Sequence, residues 1–81
     1  MARIIDGERQ NVIGDNVKKY RKKTGLSQNQ LSDKLETEAV YICRGSISRI
    51  ESGERTVSDI EIMGLAKVLG ISIATLFEGL E

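Results

Sequence analysis

The chain has 81 residues, of which 40% are hydrophobic and 30% charged, a balance typical of one small globular domain. The twelve basic and twelve acidic residues give a net charge of zero. Residues 16–55, however, carry nine basic and five acidic residues, whereas residues 56–81 carry one basic and four acidic residues. This uneven distribution suggests a basic face. The chain has no His and one Cys, which excludes soft metal clusters and an internal disulfide. Without His it also lacks the commonest general base. We therefore expect no enzymatic activity, metal or cofactor.

Residues 1–10 show no clear period and are expected to be an N-terminal arm or an extension of the first helix, with residues 11–81 forming one domain. A first helix is predicted from about Val12 to Thr24, because Ile13, Val17 and Tyr20 recur at helical spacing. The Gly that follows suits the left-handed turn at a helix end. Without a signal-like or membrane-length apolar run, a cytoplasmic location with no membrane partner is expected.

A second helix is predicted to start at Ser27, because Ser27 and Gln30 have the spacing of a capping box. Where this helix ends is left open, since residues 36–43 contain no Gly or Pro and fit a helix or a loop equally well. A third helix is predicted from about Gly45 to Ser52, with Ile47 and Ile50 turned inward.

Two further helices complete the predicted set. Ser58 and Glu61 form another capping box, which opens a fourth helix that ends at Gly70. Ser72 is expected to cap a short fifth helix that ends at Gly79. The pattern therefore predicts an all-α fold of five short helices.

The segments Leu26–Leu35 and Ile47–Arg55, the latter reading Ile-Ser-Arg-Ile-Glu-Ser-Gly-Glu-Arg, resemble the Cro and lambda-repressor-like (XRE-type) helix-turn-helix family. The similarity extends from about Ile13 to Leu80, nearly the whole chain. It implies a compact five-helix lambda-repressor-like helix-turn-helix domain. In such domains the third helix enters the major groove of double-stranded DNA while the second crosses the backbone.

The resemblance also implies roles for individual residues. The start of the third helix would face the bases, and Arg can bond guanine O6 and N7 in a bidentate manner. Phosphate contacts are expected chiefly from Gln28 at the start of the second helix. The lysine run of residues 18–23 is expected to be mainly a solvated face, with one or two of its members near the backbone. A largely buried ion pair between Arg21 and Glu51 is expected to be structural. The candidate base-reading residues are Arg44, Gly45, Ser46, Ser48 and Arg49, and the further phosphate candidates are Asn29, Asn16 and Arg55.

One departure from the family pattern lies between the second and third helices. Eleven residues separate Leu35 from Ile47, where the family commonly has about six, so about five extra residues are expected near residues 36–41. They could lengthen the second helix or enlarge the turn. Cys43 falls where the family usually has a Ser or Thr cap, and a small half-buried residue is expected there in preference to a redox sensor.

The favoured function is a sequence-specific transcriptional regulator, with repression favoured over activation, that binds a near-palindromic operator as a homodimer. The expected dimer surface is the last helix, with Ile73, Leu76 and Leu80 as candidates. An alternative is a protein-interaction module, such as an antitoxin or anti-repressor, that uses the same fold to bind a protein partner. An RNA-binding variant has little support, because the chain offers only three aromatic residues for stacking.

Overall fold

The computed structural model describes residues 9–80, and every regular element in that range is helical. The prediction of five helices in an all-α fold is therefore confirmed. Residues 1–8, most of the expected N-terminal arm, lie outside the described range. The helices are α1 (Gly14–Lys23), α2 (Gln28–Thr37), α3 (Arg44–Ser52), α4 (Asp59–Leu69) and α5 (Ile73–Leu76).

Helix α1 begins at Gly14, two residues later than predicted, because Asn11 organises the chain in front of it. The Asn11 side-chain oxygen accepts a hydrogen bond from the Gly14 backbone N–H at 2.8 Å, which satisfies one of the N–H groups that a helix start leaves unpaired. Its amide nitrogen donates to the carbonyls of Ile50 (3.0 Å) and Arg55 (2.8 Å). The segment before α1 is thereby tied to the end of α3.

Both predicted capping boxes are confirmed. The Ser27 hydroxyl accepts from the Gln30 backbone N–H, and the Gln30 side chain accepts from the Ser27 N–H. Ser58 and Glu61 repeat this exchange at the start of α4. Each box satisfies two N–H groups at once, so the starts of α2 and α4 are fixed locally by sequence.

Helix α2 ends at Thr37, and a loop of six residues, 38–43, leads to α3. Ala39 takes a left-handed conformation with φ of 59°, although it is not a glycine. This strained conformation is offset by burial, because it directs the following residues into the core: Val40 is 8% exposed and Ile42 is 3% exposed. Of the region near residues 36–41 where extra residues were expected, Glu36 and Thr37 end α2 and residues 38–41 belong to a loop anchored in the core.

The core is formed where α3 packs against α1 and α2, with α4 behind them. Gly14 allows the close approach of α1 to α3, because a Cβ atom there would lie 2.2 Å from the Ile50 carbonyl oxygen. Within residues 9–80, twelve hydrophobic residues are buried: Ile13, Val17, Leu31, Leu35, Val40, Ile42, Ile47, Ile50, Leu65, Ala66, Leu69 and Leu76.

The expectation that Leu76 contributes to a dimer surface is wrong. Its side chain is completely buried in the core of its own chain, because α5 folds back against α4. Ile73 on the same helix remains 45% exposed, and Leu80 is half-buried. Only these two of the three candidates can therefore contact a second copy.

Within residues 9–80 the longest helix has 11 residues and none is long and apolar enough to cross a membrane.

Candidate nucleic-acid interface

Helix α3 presents one polar, exposed side to solvent. Ile47, Ile50 and Glu51 are buried and fix the orientation of the helix. With 3.6 residues per turn, this places Gly45, Ser48 and Arg49 on the opposite side, and all three are exposed. Arg44 and Ser46 flank this side, the former exposed and the latter half-buried. The structure thus brings together all five residues that the sequence predicts to read bases.

The first turn of α3 is organised by Ser46. An Arg49 guanidinium nitrogen donates to the Ser46 hydroxyl at 3.2 Å, and the Cys43 sulfur lies 3.4 Å from the same oxygen. Cys43 is the N-cap residue, but its side chain makes no capping hydrogen bond. The hydrogen bond with Ser46 lowers the pKa of the Cys43 thiol. The thiol is exposed, in contrast to the half-buried position expected from the sequence.

A polar hollow of about 330 Å³ lies between the start of α2 and the exposed side of α3. Gln28, in the first turn of α2, is half-buried in it, and Lys18 and Lys22 line it from α1. Ser48 and Ser52 close it from α3. A helix N-terminus with two ammonium groups beside it attracts an anion, because the unpaired N–H groups and the helix dipole add to the positive charge.

Beneath this hollow lies the pair formed by Arg21 and Glu51. The Arg21 Nε lies 2.6 Å from Glu51 Oε2, its Nη2 lies 3.1 Å from Oε1, and the two side chains are 9% and 4% exposed. The third guanidinium contact, Nη1 to the Leu26 carbonyl at 2.8 Å, reaches the α1–α2 turn. The Gln28 amide nitrogen also donates to Glu51, at 3.2 Å. The pair therefore connects α1, α2 and α3.

The other phosphate candidates have different surroundings. Asn29 is exposed beside Gln28 on α2. Asn16 points toward the C-terminal end of the domain, where its amide nitrogen donates to the carbonyls of Leu76 and Glu78, both at 2.9 Å. Asn16 therefore lies apart from the surface formed by α2 and α3.

Arg55 is occupied in the turn between α3 and α4. Its guanidinium makes two hydrogen bonds to the Glu61 carboxylate, at 3.0 and 2.8 Å, and one to the Thr56 carbonyl at 2.9 Å. The hydrogen bonds from Arg55 lower the pKa of Glu61, and backbone hydrogen bonding at Ser58 adds to this. Arg55 thus holds the start of α4 in place.

From the sequence we did not predict that Lys18 and Lys22, among the lysines of residues 18–23, would line the hollow at the start of α2. Their spacing of four residues aligns both along α1, about 100° around the helix from the buried Val17 and Arg21. Lys19 instead binds Glu78 at 2.7 Å, near the C-terminal end. The position of each lysine around α1, relative to the buried residues of that helix, could have distinguished Lys18 and Lys22 from Lys19.

Comparison with known proteins identifies relatives across most of the chain. The family profile described as "Helix-turn-helix" matches residues 17–76, which include both α2 and α3. The control protein C.MunI of Mycoplasma sp is 35% identical over 70 residues, a match that covers 85% of this chain and 88% of that protein. The crystal structure of the restriction-modification controller protein C.AhdI from Aeromonas hydrophila superposes with a TM-score of 0.71 at 31% identity, covering 80% of this chain and 87% of that one.

Proposed function

This chain belongs to the helix-turn-helix family of DNA-binding transcriptional regulators, and we propose that it binds a near-palindromic operator as a homodimer through α3 to control restriction–modification genes. The observation that carries the proposal is the clustering of Gly45, Ser48 and Arg49 on the exposed side of α3, with the exposed Arg44 flanking it. The target genes are proposed from the similarity to C.AhdI, which is named as a restriction-modification controller protein.

In the proposed complex α3 enters the major groove with its N-terminal half against the base edges. Arg44 and Arg49 are the candidates for bidentate contacts to guanine. Ser46 and Ser48 can donate or accept at neighbouring bases. Gly45 has no side chain, and a Cβ at this position would meet no atom closer than 3.9 Å, so the glycine serves close approach to DNA and not internal packing.

The hollow beside α3 is the proposed phosphate site. Gln28 and the start of α2 would bind one phosphate, with Lys18 and Lys22 beside it on α1 and Asn29 adjacent on α2. These contacts fix the position of the protein on the duplex, and α3 supplies the sequence preference. Because each lysine–phosphate contact releases counterions, the affinity should fall steeply as salt is raised.

A homodimer is proposed because one domain of this size contacts a single half-site, and two-fold symmetry matches a palindrome. The exposed Ile73 and half-buried Leu80 are the proposed contacts between the two copies. Repression is the proposed effect, because a dimer on a promoter blocks the polymerase by occupying its site, whereas activation would also need a surface that recruits it.

The test is selection of binding sites from a random duplex pool, carried out with the wild-type protein, Arg49→Ala and Lys67→Ala. Lys67 is a matched control, since it is exposed on α4 and its removal changes the net charge equally. We expect the wild type and Lys67→Ala to enrich the same near-palindrome and Arg49→Ala to lose it. Failure of the folded, dimeric wild type to enrich any sequence would contradict the proposal and favour a protein-interaction module.

A further inference from the structure

Tyr41 is held on the surface beside the start of α3. Its side chain is 74% exposed, although Val40 and Ile42 on either side are buried. The backbone is fixed at both neighbours: the Val40 N–H donates to the Leu35 carbonyl at 3.0 Å, and the Ser32 hydroxyl donates to the Ile42 carbonyl at 2.7 Å. The ring therefore projects from an anchored segment two residues before the N-cap of α3.

The ring lines an open hollow with members of the candidate interface. Cys43 and Ser46 line it from the start of α3, and Ser32 and Glu36 line it from α2. The Ser32 hydroxyl already donates to a backbone carbonyl. Among residues 9–80 the Tyr41 hydroxyl has no hydrogen-bond partner, which leaves a neutral donor next to the proposed base-reading turn.

The dimensions of DNA indicate what this donor would meet. The major groove is about 12 Å wide, and a helix with its side chains is about 10–12 Å across. A helix that enters the groove therefore fills it, so that residues flanking its first turn lie over the phosphates at the groove edge. Tyr is among the side chains that commonly bond phosphate oxygens.

We propose that the Tyr41 hydroxyl donates a hydrogen bond to a backbone phosphate at the edge of the half-site that α3 contacts. This inference rests on the proposed DNA-binding function and adds a contact from the α2–α3 loop. A neutral donor suits this position, because the nearby Glu36 carboxylate would form an ion pair with a positively charged side chain in competition with the phosphate. The contact releases no counterion from a cationic group, so it should leave the salt dependence of binding unchanged.

The first test compares Tyr41→Phe with the wild type on the selected duplex. One lost hydrogen bond should weaken binding about three- to tenfold, with the same slope of affinity against salt concentration and the same melting temperature. Tyr20→Phe is the matched control, because it removes the same atom from a tyrosine whose hydroxyl binds Glu78 at 2.5 Å, away from α3. Its affinity for the duplex should equal that of the wild type.

The second test replaces single phosphates of the duplex with uncharged methylphosphonates. At one position in each half-site the replacement should weaken wild-type binding and leave Tyr41→Phe unaffected, because the partner of that phosphate is already missing. Equal loss for both proteins at every position would overturn the inference. If the wild type selects a site, Arg49→Ala loses it and Tyr41→Phe binds like the wild type, then the Tyr41 contact alone is wrong. If the wild type binds no duplex, the proposed function and this inference both fall.

Discussion

The two arginines that matter most in this domain have opposite environments. Arg21 is 8% exposed and bonded to Glu51, whereas Arg49 is exposed and bonded only weakly to Ser46. Both lie on amphipathic helices, and the residue type does not distinguish them. The family resemblance predicts the difference, and the contacts explain it: the first arginine stabilises the fold, and the second is available for a ligand.

Removing one partner of the buried pair should destabilise the domain. Arg21→Ala leaves the Glu51 carboxylate buried without its guanidinium, which typically costs about 3–5 kcal/mol. For a chain of this size that loss corresponds to a fall of more than about 10 °C in melting temperature. Thermal unfolding followed by circular dichroism measures it.

Two further variants separate this effect from simple loss of charge. Lys23→Ala removes the same charge from an exposed position on α1 and should change stability by less than about 0.5 kcal/mol. Replacing both partners with Met and Leu should cost less than Arg21→Ala, because no buried charge remains. An Arg21→Ala protein that melts with the wild type would refute the structural role of the pair.

Glu61 should make stability depend on pH. Its folded-state pKa lies below the unfolded value because Arg55 donates two hydrogen bonds to the carboxylate. Its contribution is therefore complete above the unfolded pKa of about 4.3 and is lost as the pH falls through the folded value. The free energy of unfolding in urea should decrease below about pH 5 in the wild type.

Glu61→Gln should show a smaller decrease, since Gln keeps the cap but has no charge to lose. Glu54→Gln is an exposed control in the turn between α3 and α4, and it should show a decrease like that of the wild type because it leaves the pair of Arg55 and Glu61 intact. Identical pH profiles for Glu61→Gln and the wild type would show that this carboxylate contributes nothing.

At the scale of the element, the starts of α2 and α4 were predictable, whereas the start of α1 and the ends of α2 and α5 were not. Ser27 with Gln30 and Ser58 with Glu61 carry their own caps, so local sequence is sufficient. The end of α2 is set by tertiary contact, because Val40 enters the core against α4. The sequence feature that indicates this contact is Gly64, because a glycine within a helix often marks close packing.

Gly64→Ala should be destabilising only while Val40 is present. A Cβ atom at residue 64 would lie 2.7 Å from a Val40 methyl carbon, and valine is too stiff to move aside cheaply. We expect a cost of about 1–3 kcal/mol from overpacking, which exceeds the gain of about 1 kcal/mol from replacing a helical glycine. In a Val40→Ala background the same substitution should become stabilising. Chemical unfolding of the four proteins measures the reversal.

Gly45→Ala supplies the control for that experiment. No atom lies closer than 3.9 Å to a Cβ there, so the substitution should be stabilising or neutral in both backgrounds. If Gly64→Ala has the same effect with and without Val40, the packing explanation of the α2–α3 loop is incorrect.

At the scale of the whole molecule, the fold brings Lys18 and Lys22 of α1 to the hollow at the start of α2, beside the side of α3 that exposes Arg49. The charge asymmetry and the order of the helices can be read from the sequence. Together they predict the all-α fold class and the exposed side of α3. Which lysines reach that surface can be predicted only when Arg21 is counted with Val17 among the buried residues that set the phase of α1. The sequence does not show the loop that presents Tyr41, since that loop depends on contacts with α4.

Base reading by α3 of each protomer is tested most directly by affinity measurements on operator variants. The affinities of the wild type and Arg49→Ala are compared across all single-base-pair variants of the selected operator. We predict that the wild type loses about 1–3 kcal/mol of binding free energy when one guanine in each half-site is changed, and that the weaker binding of Arg49→Ala does not change at those symmetric positions. An Arg49→Ala protein with the same base preference as the wild type at every position of the operator would contradict base reading by α3.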